Sequence, residues 1–318
     1  MTSSRAIPGL HHITAISGPP QANLDFYTGT LRQRLVKRTV NFDAPDTYHL
    51  YYGDHDARPG SILTFFPFAD AGPGRAGPGM ASGFAYALAP GALDGWMERL
   101  AEAAIDFEGP WERFGERGIA LDDPDGLRVE LIETDRAVDM AADRLEGGFH
   151  SVTLCQRDFE PTARLLTDIM GYVEHGEERG EGEGQDGTRR LRLLAPSGGR
   201  ASALDLMASD EPSIGRQGAG TVHHVAFRAE SDEVQREWRE RIAGAGHEVT
   251  PVIDRQYFNA IYFREPGGVL FEIATDPPGF ATDETAEALG ERLMLPPQYE
   301  AMRERIERVL PELRVPAS

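Results

Sequence analysis

Two stretches decide how this chain is read. Gly9-Leu10-His11-His12-Ile13-Thr14 near the start returns as Thr221-Val222-His223-His224-Val225-Ala226-Phe227 far along the chain. Between them lie two more strand-like starts, Gly83-Phe84-Ala85-Tyr86-Ala87-Leu88 and Gly148-Phe149-His150-Ser151-Val152-Thr153-Leu154. Aligned on His11, Ala85, His150 and His223, they are separated by 74, 65 and 73 residues. Spacing this regular is the mark of an internal repeat.

Each start is followed by a helical pattern: Gln21 to Leu35, Ala92 to Ala104, Glu160 to Met170 closed by Gly171, and Asp232 to Ala245 closed by Gly246. Trp96, Leu100 and Ala104 fall on one helix face, and Ser231 stands where an N-cap belongs. Strands joined by hairpin-like turns come next. Asp123-Pro124-Asp125-Gly126 precedes Leu127-Arg128-Val129-Glu130-Leu131, just as Glu265-Pro266-Gly267-Gly268 precedes Val269-Leu270-Phe271-Glu272-Ile273. The unit is strand, helix, then three strands. A curled sheet of that size cannot bury its concave face alone, so units must pair.

The expected fold is α+β, with four βαβββ modules at about 9–68, 82–134, 148–208 and 221–276, paired into two curled-sheet domains. Along the chain this divides into an N-terminal pair of modules (1–140), a C-terminal pair (141–280) and a helical C-terminal extension (281–318). Helix is expected in the extension around Ala286 to Leu293 and Tyr299 to Leu310. Composition marks three linkers: Gly/Pro-rich Ala71 to Ser82, polar and helix-capable Asp135 to Gly147, and Gly/Glu/Asp-rich Glu177 to Gly187.

The 318 residues are 40% hydrophobic and 26% charged, an ordinary globular composition. A net charge of −20 argues against nucleic acid or an anionic membrane as partner. No apolar run approaches the roughly 20 residues of a membrane helix, and Met1 to Pro8 has no apolar signal region. The one cysteine, Cys155, excludes an intramolecular disulfide, and a cytoplasmic protein is expected. Lys37 is the only lysine. Phosphate-loop, dinucleotide and nucleophile-elbow motifs are missing. Self-association into a homo-oligomer is left open.

The repeats allow equivalent positions to be compared. At the second position of each start stand His12, Tyr86, Ser151 and His224. At the position of Glu272, module two carries Glu130, module one the Thr64-Phe65-Phe66 region and module three Leu204-Asp205-Leu206. Modules one and four thus supply two imidazoles and a carboxylate, while the other two modules look degenerate. Two His and one carboxylate on one face leave open positions for a substrate and O2, the ligand set of non-haem Fe(II) enzymes; Mn, Ni, Co or Zn would also accept it. Alternation along a strand places His12 and His224 with the small residues Thr14 and Ala226, and His11 and His223 with Ile13, Val225 and Phe227. His12, His224 and Glu272 are therefore the expected metal ligands. His49 could line the cup of module one, Glu130 is a rim carboxylate or a vestigial ligand, and His150 is structural.

The His-His-Ile-Thr start, Tyr48-His49-Leu50-Tyr51-Tyr52-Gly53-Asp54, Ser61-Ile62-Leu63-Thr64-Phe65-Phe66-Pro67, the second His-His pair and Leu295-Pro296-Pro297-Gln298-Tyr299-Glu300 resemble the ring-cleaving dioxygenases of the vicinal oxygen chelate superfamily, in particular the hydroquinone 1,2-dioxygenase type. The resemblance spans essentially the whole chain. It implies an Fe(II) centre on His12, His224 and Glu272, a small aromatic substrate and O2. It also implies roles beside the metal for Arg255, to stabilise oxyanion charge, and for Tyr262, to manage protons. His11 and His223 are placed near the site by the resemblance but on the far side by strand alternation. Two other functions fit the scaffold: a glyoxalase-like metal-dependent lyase or isomerase, and a metal-free small-molecule binding or resistance protein.

Overall fold

The computed structural model describes residues 5–136, 144–180 and 188–315. The core of the Asp135 to Gly147 linker and most of the Glu177 to Gly187 linker lie outside the described residues.

All four modules have the expected order. Module one is β1 (Leu10–Ser17), α1 (Pro20–Asp25), β2 (Arg34–Asn41), β3 (Ala44–Gly53) and β4 (Ile62–Pro67). Module two is β5 (Met80–Leu88), α2 (Leu93–Glu102), β6 (Glu108–Arg113), β7 (Glu116–Asp122) and β8 (Arg128–Glu133). Module three is β9 (Phe149–Gln156), α3 (Glu160–Arg164), β10 (Val173–Arg179), β11 (Arg189–Leu194) and β12 (Ala203–Ala208). Module four is β13 (Thr221–Ala229), α4 (Asp232–Gly244), β14 (Ile253–Asp254), β15 (Phe258–Arg264) and β16 (Leu270–Pro278).

Two eight-stranded sheets result, with the orders β14-β15-β16-β13-β1-β4-β3-β2 and β10-β11-β12-β9-β5-β8-β7-β6. The first joins module four to module one through the antiparallel β13–β1 pair, and the second joins module three to module two through β9–β5. Each chain half therefore gives one module to each sheet. This crossed pairing brings His12 of the first module beside His224 of the last.

Modules one and three share a further feature. Their helices run on into a wider π turn, Phe26–Thr30 and Leu165–Ile169, whereas α2 and α4 are plain α-helices. The first helix is shorter than the sequence pattern suggests: Leu35 already belongs to β2, because Arg32 takes a left-handed φ of 53° and turns the chain. Ser231 caps α4 as expected, its hydroxyl accepting the Val234 N–H. The apolar helix faces pack on the sheets in one continuous core that includes Trp96, Leu100, Trp238 and Ile242. Among the described residues no helix is long and apolar enough to cross a membrane.

The extension is helical only in part. Pro297–Met302 is a 3-10 turn leading into α5 (Arg303–Val309), but 286–293 forms turns. Arg34 takes the carbonyls that a helix would use, its Nη2 donating to Ala286 O and Glu287 O at 2.8 Å each. Gly290 follows at φ 82°, where an added Cβ would stand 2.1 Å from Leu35 O. The extension is locked to β2 through Lys37, which is fully buried. Its Nζ lies 2.6 Å from both Asp283 Oδ1 and Glu284 Oε2 and 4.9 Å from the Tyr257 ring centre, and the Tyr257 hydroxyl donates to Asp283. A second apolar cluster, with Tyr51, Tyr257, Phe258, Phe280 and Leu289, fills the space beneath this lock.

Candidate functional site

The two central strands of the first sheet place one imidazole each, and β16, next to β13, places a carboxylate between them. His12 Nε2 and His224 Nε2 are 3.4 Å apart; Glu272 Oε2 lies 2.8 Å from His224 Nε2 and 3.5 Å from His12 Nε2. All three residues are buried, and they form the one cluster of metal-ligating groups found among the described residues. Neither carboxylate oxygen of Glu272 receives a hydrogen bond. A fully buried carboxylate without donors is costly, and a cation held by these three atoms would remove that cost. Burial opposes ionisation of Glu272, but the imidazoles of His12 and His224 beside it hold its carboxyl well below the ordinary range. The donor set thus fits a divalent metal.

The expectation that His223 points away from the cup is corrected here. β1 and β13 carry bulges at His11 and His223. His11 is the extra residue between the pairs Leu10↔Phe227 and His12↔Ala226, and His223 the extra one between Thr14↔His224 and Ala15↔Val222. A bulge suspends strict alternation, so each histidine pair stays together. His11 Nδ1 is 2.9 Å from His12 Nδ1, and His223 Nδ1 is 2.8 Å from His224 Nδ1. Each contact occupies the far nitrogen of the inner ring and leaves its Nε2 toward the carboxylate. Burial, with the neighbouring inner histidine, pushes His11 down to about 3 and His223 to about 4. His223 lines the cavity in front of the triad; His11 lies behind it against Phe258.

That cavity measures about 340 Å³, in the range of small-molecule sites. Its apolar walls include Ile16, Phe66, Phe68, Phe258 and Leu270. Arg255 and Tyr262 both face it, with Arg255 Nε donating to the Tyr262 hydroxyl at 3.3 Å and Nη1 paired with Asp43 at 3.3 Å. Burial, reinforced by the charge of Glu272, raises the Tyr262 phenol, so it stays protonated. His49, a weaker candidate by sequence, lies on the wall. Its Nε2 is 2.7 Å from the Thr64 hydroxyl and its Nδ1 2.8 Å from the Tyr51 hydroxyl, and Thr64 in turn meets Thr14 at 3.0 Å. Burial, followed by the charges of His12 and His224, keeps His49 neutral. Tyr51, Thr14 and Thr64, which the sequence shows only within motifs and at repeat positions, join the site through these hydrogen bonds.

The ladders also correct the alignment of the second sheet. Ala226 faces Glu272 in module four, and Ala85 faces Glu130 in module two. The residue level with His224 is therefore Gly83, not Tyr86, which lies three positions on and stacks on Phe149 in the main core. Thr14↔Thr64 and Thr153↔Asp205 complete the set, so Ser151 matches His12 and Asp205 matches Thr64. By the same count Arg190 and Arg192 match His49 and Tyr51. Glu130 is held by Arg113 through both oxygens, at 2.7 and 3.2 Å. His150, the extra residue of the matching bulge, bonds Ser151 and Glu116 at 2.9 Å each.

Comparison with known proteins agrees with this geometry. The family model described as Glyoxalase/Bleomycin resistance protein/Dioxygenase superfamily matches residues 9–131 and 148–273. A Bacillus subtilis (strain 168) protein named "Putative ring-cleaving dioxygenase MhqO" is 47% identical over 309 residues, covering 95% of each chain. A Sphingobium indicum protein named chlorohydroquinone/hydroquinone 1,2-dioxygenase is 34% identical over 320 residues, covering 96% of each. A crystal structure of a "putative dioxygenase" from Bacillus subtilis superposes with a TM-score of 0.89 at 45% identity, covering 99% of this chain and 100% of that one.

Proposed function

We propose that this chain, which belongs to the Glyoxalase/Bleomycin resistance protein/Dioxygenase superfamily, is an Fe(II)-dependent ring-cleaving dioxygenase of a hydroquinone or related phenol. The observation that carries the reading is the buried, donor-free Glu272 between two Nε2 atoms, at the floor of a cavity with aromatic walls. The names of the similar proteins support the reaction class, and the Sphingobium relative supports the substrate class.

His12, His224 and Glu272 would hold the metal, with Mn(II) or another divalent ion as the competitor. When bound, Fe(II) favours the phenolate form of a substrate hydroxyl and couples the electron-rich ring to O2. The rest falls to the protein. His11 and His223 fix the inner rings so that Nε2 stays a ligand atom. The aromatic walls hold the ring flat and exclude water. Arg255 stays cationic, braced by Tyr262 and Asp43, and stabilises negative charge growing on a substrate oxygen. Tyr262, kept protonated beside Glu272, is the group able to donate a proton at the metal side of the cavity.

The test is oxygen uptake by protein reconstituted with Fe(II) under anaerobic conditions, with hydroquinones and catechols offered separately. Uptake with a hydroquinone, lost in His224→Ala, is the expected result. Stoichiometric iron with no uptake on any phenol, together with turnover of a hemithioacetal, would move the assignment to a lyase or isomerase. Function that survives complete metal removal would move it to a binding or resistance protein.

A further inference from the structure

The second sheet keeps a cavity where the first keeps its metal cup. It measures about 210 Å³, far more than a single water needs. Its lining follows the first cavity position by position. Besides Gly83 and Glu130, Arg190 stands at the level of His49, Thr153 at that of Thr14, Ser82 at that of His223, Met207 at that of Phe66, and Arg128 at that of Leu270. Loss of the histidines has left an open space whose polar walls are now guanidinium and hydroxyl groups.

One charged network beside this space does not balance. Three guanidiniums share two carboxylates in one bonded network, Arg190 and Arg192 on Asp205 and Arg192 and Arg136 on Glu116, while Arg113 pairs with Glu130 apart from it. His150 adds no charge, because burial lowers it. Within that network one guanidinium is left over. It falls on the cavity wall: Arg190 is nine-tenths buried, its Nη1 reaches Thr153 Oγ1 at 3.1 Å and Asp205 Oδ2 at 3.3 Å, and its Nη2 has a thioether, Met207 Sδ, at 3.4 Å. Sulfur is a weak acceptor, and a buried cation facing one is poorly compensated. Glu130 also faces the space, but both its oxygens are engaged by Arg113. Arg128 closes the rim, tied outward to Glu108 and Asp122.

We infer that this second cup is a binding site for a small oxyanion, a carboxylate or a phosphate, gripped by Arg190 with the hydroxyls of Thr153 and Ser82. It is separate from the metal cup and does not depend on the proposed reaction.

The experiment is a calorimetric titration of chelator-treated protein with acetate and, separately, with inorganic phosphate, at constant ionic strength. One saturable site for either anion is expected, and the anion that binds identifies the source class. Arg190→Met should weaken it at least about tenfold, the scale of a lost charged hydrogen bond, and Thr153→Val by a few-fold. Arg255→Gln, which removes the guanidinium of the first cup, should leave it unchanged. If Arg190→Met does not fold, Thr153→Val and Arg128→Leu decide, since both leave Asp205 paired with Arg192. Binding of neither anion, binding indifferent to the second-cup variants, or binding lost in Arg255→Gln would overturn the assignment.

Discussion

Where the first sheet presents His12, His224 and Glu272, the second presents Ser151, Gly83 and Glu130; where the first has His49 and Tyr51, the second has Arg190 and Arg192. The backbone is the same, including a bulge at each matching position of the central strands. The first cup concentrates ligands whose charge is incomplete without a cation. The second answers its buried carboxylates with its own guanidiniums. The repeats therefore supply two equivalent hollows, and side chains alone decide which one offers a set of metal-ligating groups. A glycine at the level of His224 is enough to end the ligand set, because two imidazoles must come from two different central strands.

The largest expected effect tests that contrast directly. His224→Ala should cost at least about a hundredfold in metal retention, read by elemental analysis after dialysis, and oxygen uptake should go with it. Ser151→Ala, at the matching place, should change neither. Gly83→His should not build a second centre, since a Cβ there would stand 2.9 Å from both Arg128 Cβ and Arg128 O.

Next comes the stability each cup owes to its polar wall. Arg192→Met leaves Asp205 and Glu116 without their main partner, and loss of one member of a buried ion pair costs about 3–5 kcal/mol. Urea unfolding would measure it; a loss under about 1 kcal/mol would mean that Arg190 and Arg136 suffice.

The two cups should also part company in acid. Burial resists ionisation of Glu116, yet hydrogen bonding to His150 and the other surrounding donors and charges bring its carboxyl down to about 2. A carboxyl lowered on folding adds stability that is complete above its ordinary value near 4.5 and disappears as pH falls toward 2. Glu116→Gln should therefore be less stable than wild type at neutral pH, with the gap closing between pH 4.5 and 2. A gap that stays constant to pH 2 would remove Glu116 from the network.

The smallest effect is expected at Tyr51, the counterpart of Arg192. Tyr51→Phe removes one neutral hydrogen bond to His49, about 1 kcal/mol, without stranding a charge. Equal losses in Tyr51→Phe and Arg192→Met would contradict the difference drawn between the cups.

Much of this was legible in the sequence because the signals are local. Paired histidines mark modules one and four, Pro-Gly turns mark modules two and four, Ser231 caps the last helix, and Glu272 stands at a fixed offset from its turn. What was not legible depends on register between strands. Nothing in the run Gly83 to Leu88 tells that Ala85, rather than Leu88, faces Glu130, and so Tyr86 was matched to His224 three residues out of step. Bulges are equally silent, although they bring His11 and His223 to their partners. The turns at 286–293 depend on Arg34, far away in sequence, which competes for their carbonyls.

The lock between β2 and the extension has a practical side. Lys37 carries the one side-chain amine of the chain, and it is sealed under Asp283 and Glu284. Amine-directed labels and cross-linkers find no side-chain target on the folded protein. A lysine-specific protease has a single cleavage position, reachable only after the extension lifts. The rate of that one cut is thus a clock for local opening beside the first cup, and it can be read on an unlabelled, unmutated protein.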